Sequence, residues 1–211
     1  MKDYLTVKGS YTSETVIKHS RFIATLSYVS GREEAASFVE KVSKKYSDAT
    51  HNCYAYIADK EGREVKFSDN GEPSGTAGQP ILEVLKKNEL FEVCVVVTRY
   101  FGGIKLGASG LVGAYSSAVV DVLNKSTLIK RIVGDKVILT CDYSIAGRVE
   151  SAVYQNGGSI DQKTYNSQVK FECSFPQNQT DDFKSLFADL TKGKGTLDIK
   201  EKIFIEKEIK R

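Results

Sequence analysis

Residues 99–107 combine the side chains and glycines best suited to binding an anion. They follow an apolar run, precede a helical pattern and contain three glycines, Gly102, Gly103 and Gly107. Backbone N–H groups at a helix start favour negative charge, and glycines let a ligand come close to the backbone. Arg99 and Lys105 add fixed positive charge, and arginine can bind a phosphate or carboxylate through two parallel hydrogen bonds. The residues match neither G-x-x-x-x-G-K-[ST] nor G-x-G-x-x-G, and a tight turn without a ligand is the alternative.

A second polar stretch, residues 69–79, contains two carboxylates and two hydroxyls, those of Asp69, Glu72, Ser74 and Thr76. These groups could hold a metal ion, act in acid–base chemistry, or bind Arg99 and so connect the two loops. A loop stabilised only by its own Asx and Ser/Thr turns accounts for them equally well. Three glycines and two prolines within 69–80 lead us to expect no regular element there. Long irregular loops are often functional, which favours a binding role.

His51 and Cys53 stand two residues apart on a predicted strand, so their side chains share one face. Such a pair could form a thiol nucleophile and its base. No third partner is evident, and the pattern favours His51 as a polar residue that lines the site. His19, the other histidine, is expected at the surface.

Apolar periodicity predicts the elements that hold these loops. Alternation predicts strands at 3–8, 21–29, 52–58 and 64–68, and a nearly all-valine run predicts a strand at 93–98 that is central and covered on both faces. A 3.6-residue repeat predicts helices at 32–45, 81–87 and 108–124. Residues 99–107 therefore join a buried central strand to a long helix.

Near Gly134 the pattern begins again. Strands are predicted at 136–142, 159–165, 168–175 and 194–206, and helices at 144–156 and from 180, with Ser144 and Thr180 as N-caps. This β-α-β-β-α-β order is that of the ferredoxin-like split βαβ unit. The sequence therefore predicts an α+β protein of two domains, residues 1–132 and 133–211.

Composition and charge narrow the class of protein. Apolar residues make up 41% and charged residues 27% of the 211 positions, which is typical of globular proteins. The pI of about 8.5 is below the values above about 9 that mark dedicated nucleic-acid binders. Residues 1–134 carry 18 Lys/Arg and 15 Asp/Glu, a net charge of +3, whereas the remainder carries 12 of each. An anionic partner is therefore expected to prefer the first part.

The cysteines and the N-terminus indicate a cytoplasmic protein. None of the four cysteines forms a C-x-x-C pair, so we expect buried free thiols in a reducing compartment rather than a zinc site. The N-terminus lacks an apolar targeting segment, and no run approaches the ~18 apolar residues of a membrane span. We expect no membrane association, no cofactor and no bound metal.

Three blocks of sequence make a resemblance recognisable: residues 50–56 (THNCYAY), 68–78 (SDNGEPSGTAG) and 97–107 (VTRYFGGIKLG). They are similar, in this order, to the signature blocks of the IMPACT family and of its bacterial YigZ branch. The resemblance implies an N-terminal domain with the fold of domain 2 of a small-subunit ribosomal protein, which translation factors and GHMP kinases share. It implies a C-terminal domain like a late domain of elongation factor G. Eukaryotic members regulate translation initiation under amino-acid stress with an additional RWD domain, which has no counterpart in these 211 residues.

Three functions fit these observations. The first is a non-enzymatic protein that binds RNA or the ribosome through residues 99–107 and regulates translation, although no stripe of aromatic and basic residues marks a single-strand reader. The second is an enzyme or binder for a nucleotide or phosphate, with Asp69 or Glu72 acting near Arg99 and Lys105. Residues 106–111 are loosely similar to the GHMP kinase loop but lack its proline-led start. The third is a scaffold that docks another protein.

The expected oligomeric state is a monomer. We assign the candidate residues to binding an anion or RNA, and we assign none of them to catalysis. They are His51, Asp69, Glu72, Ser74, Thr76, Arg99, Tyr100, Gly102, Gly103, Lys105 and Gly107.

Overall fold

The computed structural model describes residues 1–209 and contains two compact units. The N-terminal unit comprises residues 4–130 with 208 and 209, and the C-terminal unit comprises residues 131–207 with 1–3. Both are mixtures of helix and sheet, which confirms the predicted α+β class. No helix within residues 1–209 is long and apolar enough to span a membrane. All four cysteines are buried free thiols, as predicted.

The N-terminal unit contains six strands and three helices. They are β1 (Tyr4–Val7), β2 (Ser10–Ile17), β3 (Ser20–Tyr28), α1 (Arg32–Lys45), β4 (His51–Ile57), β5 (Val65–Ser68), α2 (Gly78–Lys87), β6 (Val93–Tyr100) and α3 (Gly107–Asn124). Five strands form one antiparallel sheet in the order β2-β3-β6-β4-β5. The valines of β6 are fully buried at its centre, which confirms the prediction for this strand.

Helices cover both faces of this sheet because its strands are apolar on both sides. Alternate residues of β3, β4 and β6, such as Leu26, Ala55 and Val95, pack in one cluster with α2 and α3. The residues between them, such as Tyr56 and Cys94, pack against α1 in a second cluster. The chain leaves β6 at the end of this apolar layer and enters α3, so the 101–106 connection lies at the edge of the main core.

Two elements of this unit differ from the prediction. The edge strand β2 was not predicted, because its serines, threonines and one glutamate leave few apolar residues in alternation. Helix α2 begins at Gly78, three residues before the predicted start at Ile81. Pro80 therefore lies in the first turn of α2, where its missing N–H leaves no hydrogen bond unmade.

The C-terminal unit has the predicted β-α-β-β-α-β order. Its elements are β7 (Leu128–Cys141), α4 (Tyr143–Gln155), β8 (Ser159–Tyr165), β9 (Val169–Pro176), α5 (Gln177–Thr191) and β10 (Thr196–Ile209). The strands lie in the order β10-β7-β9-β8, as in ferredoxin-like folds. The core between sheet and helices includes four phenylalanines, Phe171, Phe175, Phe183 and Phe187.

Gly134, near which the second pattern begins, lies within β7: a Cβ there would come within 2.5 Å of Ile205, so glycine permits a close approach. Both predicted N-caps of this unit were wrong. The N-cap positions are Asp142 for α4 and Pro176 for α5, two and four residues before the expected Ser144 and Thr180. Thr180 lies inside α5 because its hydroxyl donates to the buried Asp135 carboxylate, 2.7 Å away, instead of capping the helix.

Candidate functional site

Strand pairing places three of the site's side chains in one row. Arg99 lies opposite Phe22 of β3 on one side and opposite His51 of β4 on the other. Arg99 is two residues beyond Val97, so it shares the face of the sheet that α2 and α3 cover. The apolar layer beneath α3 therefore ends in a row that contains a positive charge.

Arg99 is buried and paired within the protein. Its Nη1 donates to Glu72 Oε1 at 2.7 Å and its Nη2 donates to Ser20 Oγ at 3.2 Å. The side chains of Arg99 and Glu72 are only 6% and 3% exposed. The guanidinium lies over the rings of Phe22 and Phe101, with its central carbon 5.4 Å from each ring centroid. These contacts compensate the cost of removing the charge from water.

Glu72 is the centre of the buried polar network, and one of its two oxygens is unused. Besides Arg99, Tyr115 of α3 donates its hydroxyl to Glu72 Oε1 at 2.8 Å. Within residues 1–209, Glu72 Oε2 accepts no hydrogen bond. His51 Nε2 lies 3.8 Å from Glu72 Oε2, beyond hydrogen-bond distance.

Cys53 extends this network from a buried position. Its sulfur lies 2.9 Å from the carbonyl oxygen of Asp69 and 3.3 Å from Tyr115 Oη. Burial raises the pKa of Cys53 to about 12 and also raises the pKa of Tyr115, so both groups keep their protons. The structure records no hydrogen bond between Cys53 and His51, and the geometry therefore disfavours the thiol–imidazole pair.

Asp69 shapes the 69–78 loop rather than facing a ligand. Its Oδ1 accepts N–H groups from Ala77 at 2.9 Å and Gly78 at 2.8 Å, and its Oδ2 accepts that of Gly75 at 2.8 Å. Asp69 thus caps the first turn of α2 from outside the helix. Partial burial alone would raise the pKa of Asp69, but the three N–H donors outweigh it and lower the pKa.

His51 is oriented by the same loop. Its Nδ1 donates to the carbonyl oxygen of Asn70 at 2.8 Å, which leaves Nε2 as the nitrogen on the side of Glu72. The side chain of Asn70 in turn accepts the backbone N–H of Asn52 at 2.8 Å. Asn70 has a φ of +43°, in the left-handed region that asparagine tolerates. Strand β4 and the 69–78 loop are therefore joined by two reciprocal polar contacts.

The conformation of the loop between β6 and α3 requires its glycines. A Cβ on Gly102 would lie 2.0 Å from the backbone of His19, so only glycine fits there. Gly103 and Gly107 have φ values of +84° and +75°, which favour glycine. At the end of this loop Lys105 is exposed, and within residues 1–209 it makes no hydrogen bond or ion pair.

Helix α3 starts at Gly107 without a side-chain cap, beside a cleft of about 350 Å³. The cleft is lined by Glu72, Pro73, Arg99, Phe101, Lys105, Leu106, Gly107, Ala108 and Leu111. The buried Glu72 and Arg99 form its inner wall, and the exposed Phe101 and Lys105 lie at its opening. The cleft thus combines apolar side chains, an available carboxylate oxygen of Glu72 and a helix N-terminus.

The predicted residues divide into three groups. Four of them line the cleft, namely Glu72, Arg99, Lys105 and Gly107. Five support the loops around it, namely His51, Asp69, Thr76, Gly102 and Gly103; the hydroxyl of Thr76, for example, donates to the Pro73 carbonyl at 2.7 Å. The remaining two lie outside it, as Ser74 is exposed and Tyr100 donates to Asp48 at 2.8 Å on the α1 face of the sheet.

The alternatives for Asp69 and Glu72 can now be compared. Glu72 binds Arg99 and so connects the two loops, whereas both oxygens of Asp69 accept backbone N–H groups. The two carboxylates do not converge on a shared metal site, and within residues 1–209 no group of three or more His, Cys, Asp or Glu side chains does so.

Sequence reasoning missed Ser20, Phe101 and Tyr115 as members of the site. Tyr115 lies among the apolar residues of α3 and is fully buried. Its hydroxyl binds Glu72, 43 residues away, which periodicity cannot indicate. The proximity of Phe101 to Arg99 and Lys105 in the sequence was the available signal for its role at the cleft.

Comparison with known proteins assigns the family. Residues 18–123 match the Impact N-terminal domain, and residues 139–194 match a domain of unknown function, DUF1949. IMPACT family member YvyE of Bacillus subtilis is 40% identical over 209 residues, which cover 99% of this chain and 96% of that protein. The chain belongs to the IMPACT family.

Two further matches cover nearly the whole chain. IMPACT family member YigZ of Escherichia coli is 35% identical over 92% of this chain and 96% of its own length. A solved structure titled "Crystal structure of an hypothetical protein" is 34% identical, with a TM-score of 0.61 over 95% of this chain and 98% of that one. The predicted family and the two-part α+β fold are therefore confirmed.

Proposed function

We propose that this IMPACT family protein binds RNA through the N-terminal unit and holds a phosphate group at the start of α3. The observation that carries the proposal is the uncapped N-terminus of this 18-residue helix beside the unpaired Lys105. Helix N-termini bind anions through free N–H groups and the helix dipole. Ribosomal or transfer RNA is the first RNA to test, because the family resemblance points to translation.

The burial of Arg99 changes which residue should contact the anion. Its guanidinium is already neutralised by Glu72 and is only 6% exposed, so it cannot reach out to a phosphate without breaking the network. Lys105 is exposed and unpaired within residues 1–209. We therefore assign the direct charge contact to Lys105 and a supporting role to Arg99.

The C-terminal unit is a weaker candidate for reading RNA. Ferredoxin-like RNA-binding domains stack bases on aromatic side chains of their two central strands. The core of this unit takes Val137, Leu139, Phe171 and Cys173 from those strands, β7 and β9. The alternate positions hold Lys136, Ile138, Thr140, Lys170, Glu172 and Ser174, none of which is aromatic. The absence of a stacking surface on these strands favours the N-terminal unit.

Fluorescence anisotropy with a 5′-labelled single-stranded RNA tests the proposal. Parent protein, Lys105→Ala and the control Lys41→Ala are compared across a salt series. Lys41 is an exposed lysine on α1, on the other face of the sheet. We expect Lys105→Ala to weaken binding and to reduce the slope of log K against log salt by about 0.7. Equal binding by Lys105→Ala and Lys41→Ala, or no RNA binding by the parent, would overturn the proposal.

A further inference from the structure

We infer that the cleft beside α3 holds one unstacked base of a nucleoside 5′-phosphate and that Glu72 Oε2 accepts an N–H of that base. The inference rests on the proposed phosphate site and identifies the group bound next to the phosphate as a nucleobase. The nucleoside phosphate could belong to an RNA strand or be a free nucleotide. Both sources present the same base, ribose and phosphate, and the experiment separates them.

The first observation is the apolar middle of the cleft. Its volume of about 350 Å³ lies at the lower end of the range of about 300–1,000 Å³ that is usual for small-molecule sites. Leu106, Ala108 and Leu111 line it, so a flat apolar group fits better than a hydrated one. A nucleobase is such a group, and its edge carries polar atoms that can reach the inner wall.

The second observation is Phe101 at the opening. Its ring is 46% exposed although it is large and apolar, and it lies near the Arg99 guanidinium. An exposed aromatic ring beside a cationic group is the usual platform on which single-stranded nucleic acids stack a base. This single aromatic side chain supplies locally what the sequence as a whole did not show, a pairing of aromatic and basic residues.

The third observation is the free oxygen of Glu72. The side chain is 3% exposed, Oε1 accepts bonds from Arg99 and Tyr115, and Oε2 accepts none within residues 1–209. Glu72 lines the cleft, so a ligand that fills the cleft would take Oε2 out of water, and it gains affinity if it donates an N–H to that oxygen. Arg99 already balances the charge of Glu72, which makes a neutral base N–H a better partner than a second cation.

The fourth observation connects the two ends of the ligand. Gly107 and Ala108, the first residues of α3, line the same cleft as Glu72, and Lys105 lies beside them. A phosphate at the helix N-terminus and a base at Glu72 would therefore belong to one nucleotide. A phosphate alone would leave the apolar middle and the free oxygen of Glu72 unused.

Ala108→Leu alters the cleft without touching the buried network, whereas Phe101→Leu also removes a ring that lies near the Arg99 guanidinium. Ala108→Leu fills the cleft from an exposed helical position, and leucine is a good helix former. Ser109→Leu is its matched control, because Ser109 is equally exposed in the same turn but does not line the cleft. Phe101→Leu keeps an apolar side chain and removes the stacking surface.

Anisotropy is measured with a short RNA and with the same sugar-phosphate chain lacking its bases. We expect Ala108→Leu and Phe101→Leu to weaken binding of the base-bearing RNA by about 5- to 150-fold, the range for loss of one stacked base. Neither should change binding of the abasic chain, and Ser109→Leu should behave as the parent. Equal binding of both ligands by the parent, or no effect of Ala108→Leu, would overturn the inference.

Free nucleotides test the role of Glu72. Adenosine, guanosine, cytidine and uridine 5′-monophosphates all carry an N–H on the base, whereas purine riboside 5′-monophosphate carries none. In calorimetric titrations we expect the best of the four to bind more tightly than purine riboside monophosphate, and Glu72→Gln to abolish that difference. Unfolding curves confirm that each variant is folded, and equal binding of all five by the parent would contradict the assignment.

The outcomes separate the inference from the proposed function. Abasic binding that depends on Lys105, without any preference for bases, would leave the proposed RNA binding standing and overturn the base site. Binding of free monophosphates without binding of RNA would support the base site and overturn the proposed RNA binding. Binding of neither RNA nor monophosphates would overturn both.

Discussion

Each unit of the molecule buries one carboxylate, and the two carboxylates are used differently. In the C-terminal unit, Asp135 accepts a hydrogen bond from Thr180 on one oxygen and forms an ion pair of 2.6 Å with Lys202 on the other. In the N-terminal unit, Glu72 receives both of its hydrogen bonds on Oε1 and none on Oε2. Each Asp135 oxygen therefore faces a partner, although the Lys202 contact is an ion pair without hydrogen-bond geometry, whereas Glu72 keeps one oxygen available at a cleft.

The cations paired with these two carboxylates also differ in their exposure to solvent. The Lys202 side chain is 48% exposed and can return to water, but the Arg99 side chain is 6% exposed and cannot. An arrangement that holds a charge pair in the interior and leaves an acceptor free is expensive to maintain. We infer from this difference that the N-terminal pair belongs to a binding site and that the C-terminal pair is a structural contact.

The largest expected effect comes from removing Arg99. Arg99→Ala leaves the Glu72 charge buried without its partner, and we expect the free energy of unfolding to fall by about 3–5 kcal/mol. Urea denaturation followed by circular dichroism measures this loss. The double variant Arg99→Met with Glu72→Leu is the control: it should recover most of the stability, because neither charge is then present. A loss below about 1 kcal/mol in Arg99→Ala would show that the network contributes little.

Asp135→Ala should have an intermediate effect. It leaves the buried Thr180 hydroxyl without its acceptor, which costs about 1–3 kcal/mol, while the half-exposed Lys202 becomes hydrated. Urea denaturation again provides the measurement. If Asp135→Ala lowers the free energy of unfolding as much as Arg99→Ala does, the exposure of the paired cation does not explain the difference between the two units.

Asp69→Ala should lower the free energy of unfolding by about 0.5–2 kcal/mol, because α2 loses the acceptor for its first N–H groups. Urea denaturation measures this loss.

Asp69 also makes the free energy of unfolding depend on pH. Its folded pKa is lowered, so its contribution is fully present above the unfolded value of about 3.9 and is lost as the pH falls through the folded pKa. The difference in unfolding free energy between parent and Asp69→Asn should therefore shrink below about pH 4. A difference that stays constant down to pH 2 would contradict this assignment.

The smallest effect is expected in a thiol-labelling experiment, in which the cysteines of both units should be equally unreactive. The pKa values of Cys53 and Cys173 are both raised to about 12 by burial, so about one thiol in ten thousand is ionised at pH 8. A chromogenic disulfide reagent should label none of the four cysteines in the native protein and all four in denaturant. Rapid labelling of Cys53 in the native state would indicate that the network beneath α3 opens.

The sequence predicted elements with strong periodicity and missed contacts between distant residues. Helix α1 begins at Arg32 and ends at Lys45 as expected, because its charges and apolar stripe are local signals. The start of α2 was placed too late because its cap, Asp69, lies nine residues before Gly78 and acts through a folded loop. The edge strand β2 lacked an apolar pattern, since only part of one face of it is buried.

The same distinction holds for the site. Glycines and charges identified residues 99–107 and 69–79 as candidate binding loops, since turn chemistry is encoded locally, but they did not indicate that residues of both loops line one cleft. The burial of Arg99 and the hydroxyl of Tyr115 on Glu72 depend on which helix covers the end of β6. Tertiary packing decides that arrangement, so it cannot be predicted from the spacing of residues within one segment.

The three N–H groups held by Asp69 and the close fit of Gly102 against His19 also bear on how fast a ligand can come and go. Loops fixed in this way lose little conformational entropy when a ligand arrives, so association needs no slow rearrangement. Related ligands should then share similar association rates. Their affinities should differ mainly in residence time, which stopped-flow measurements of dissociation would resolve.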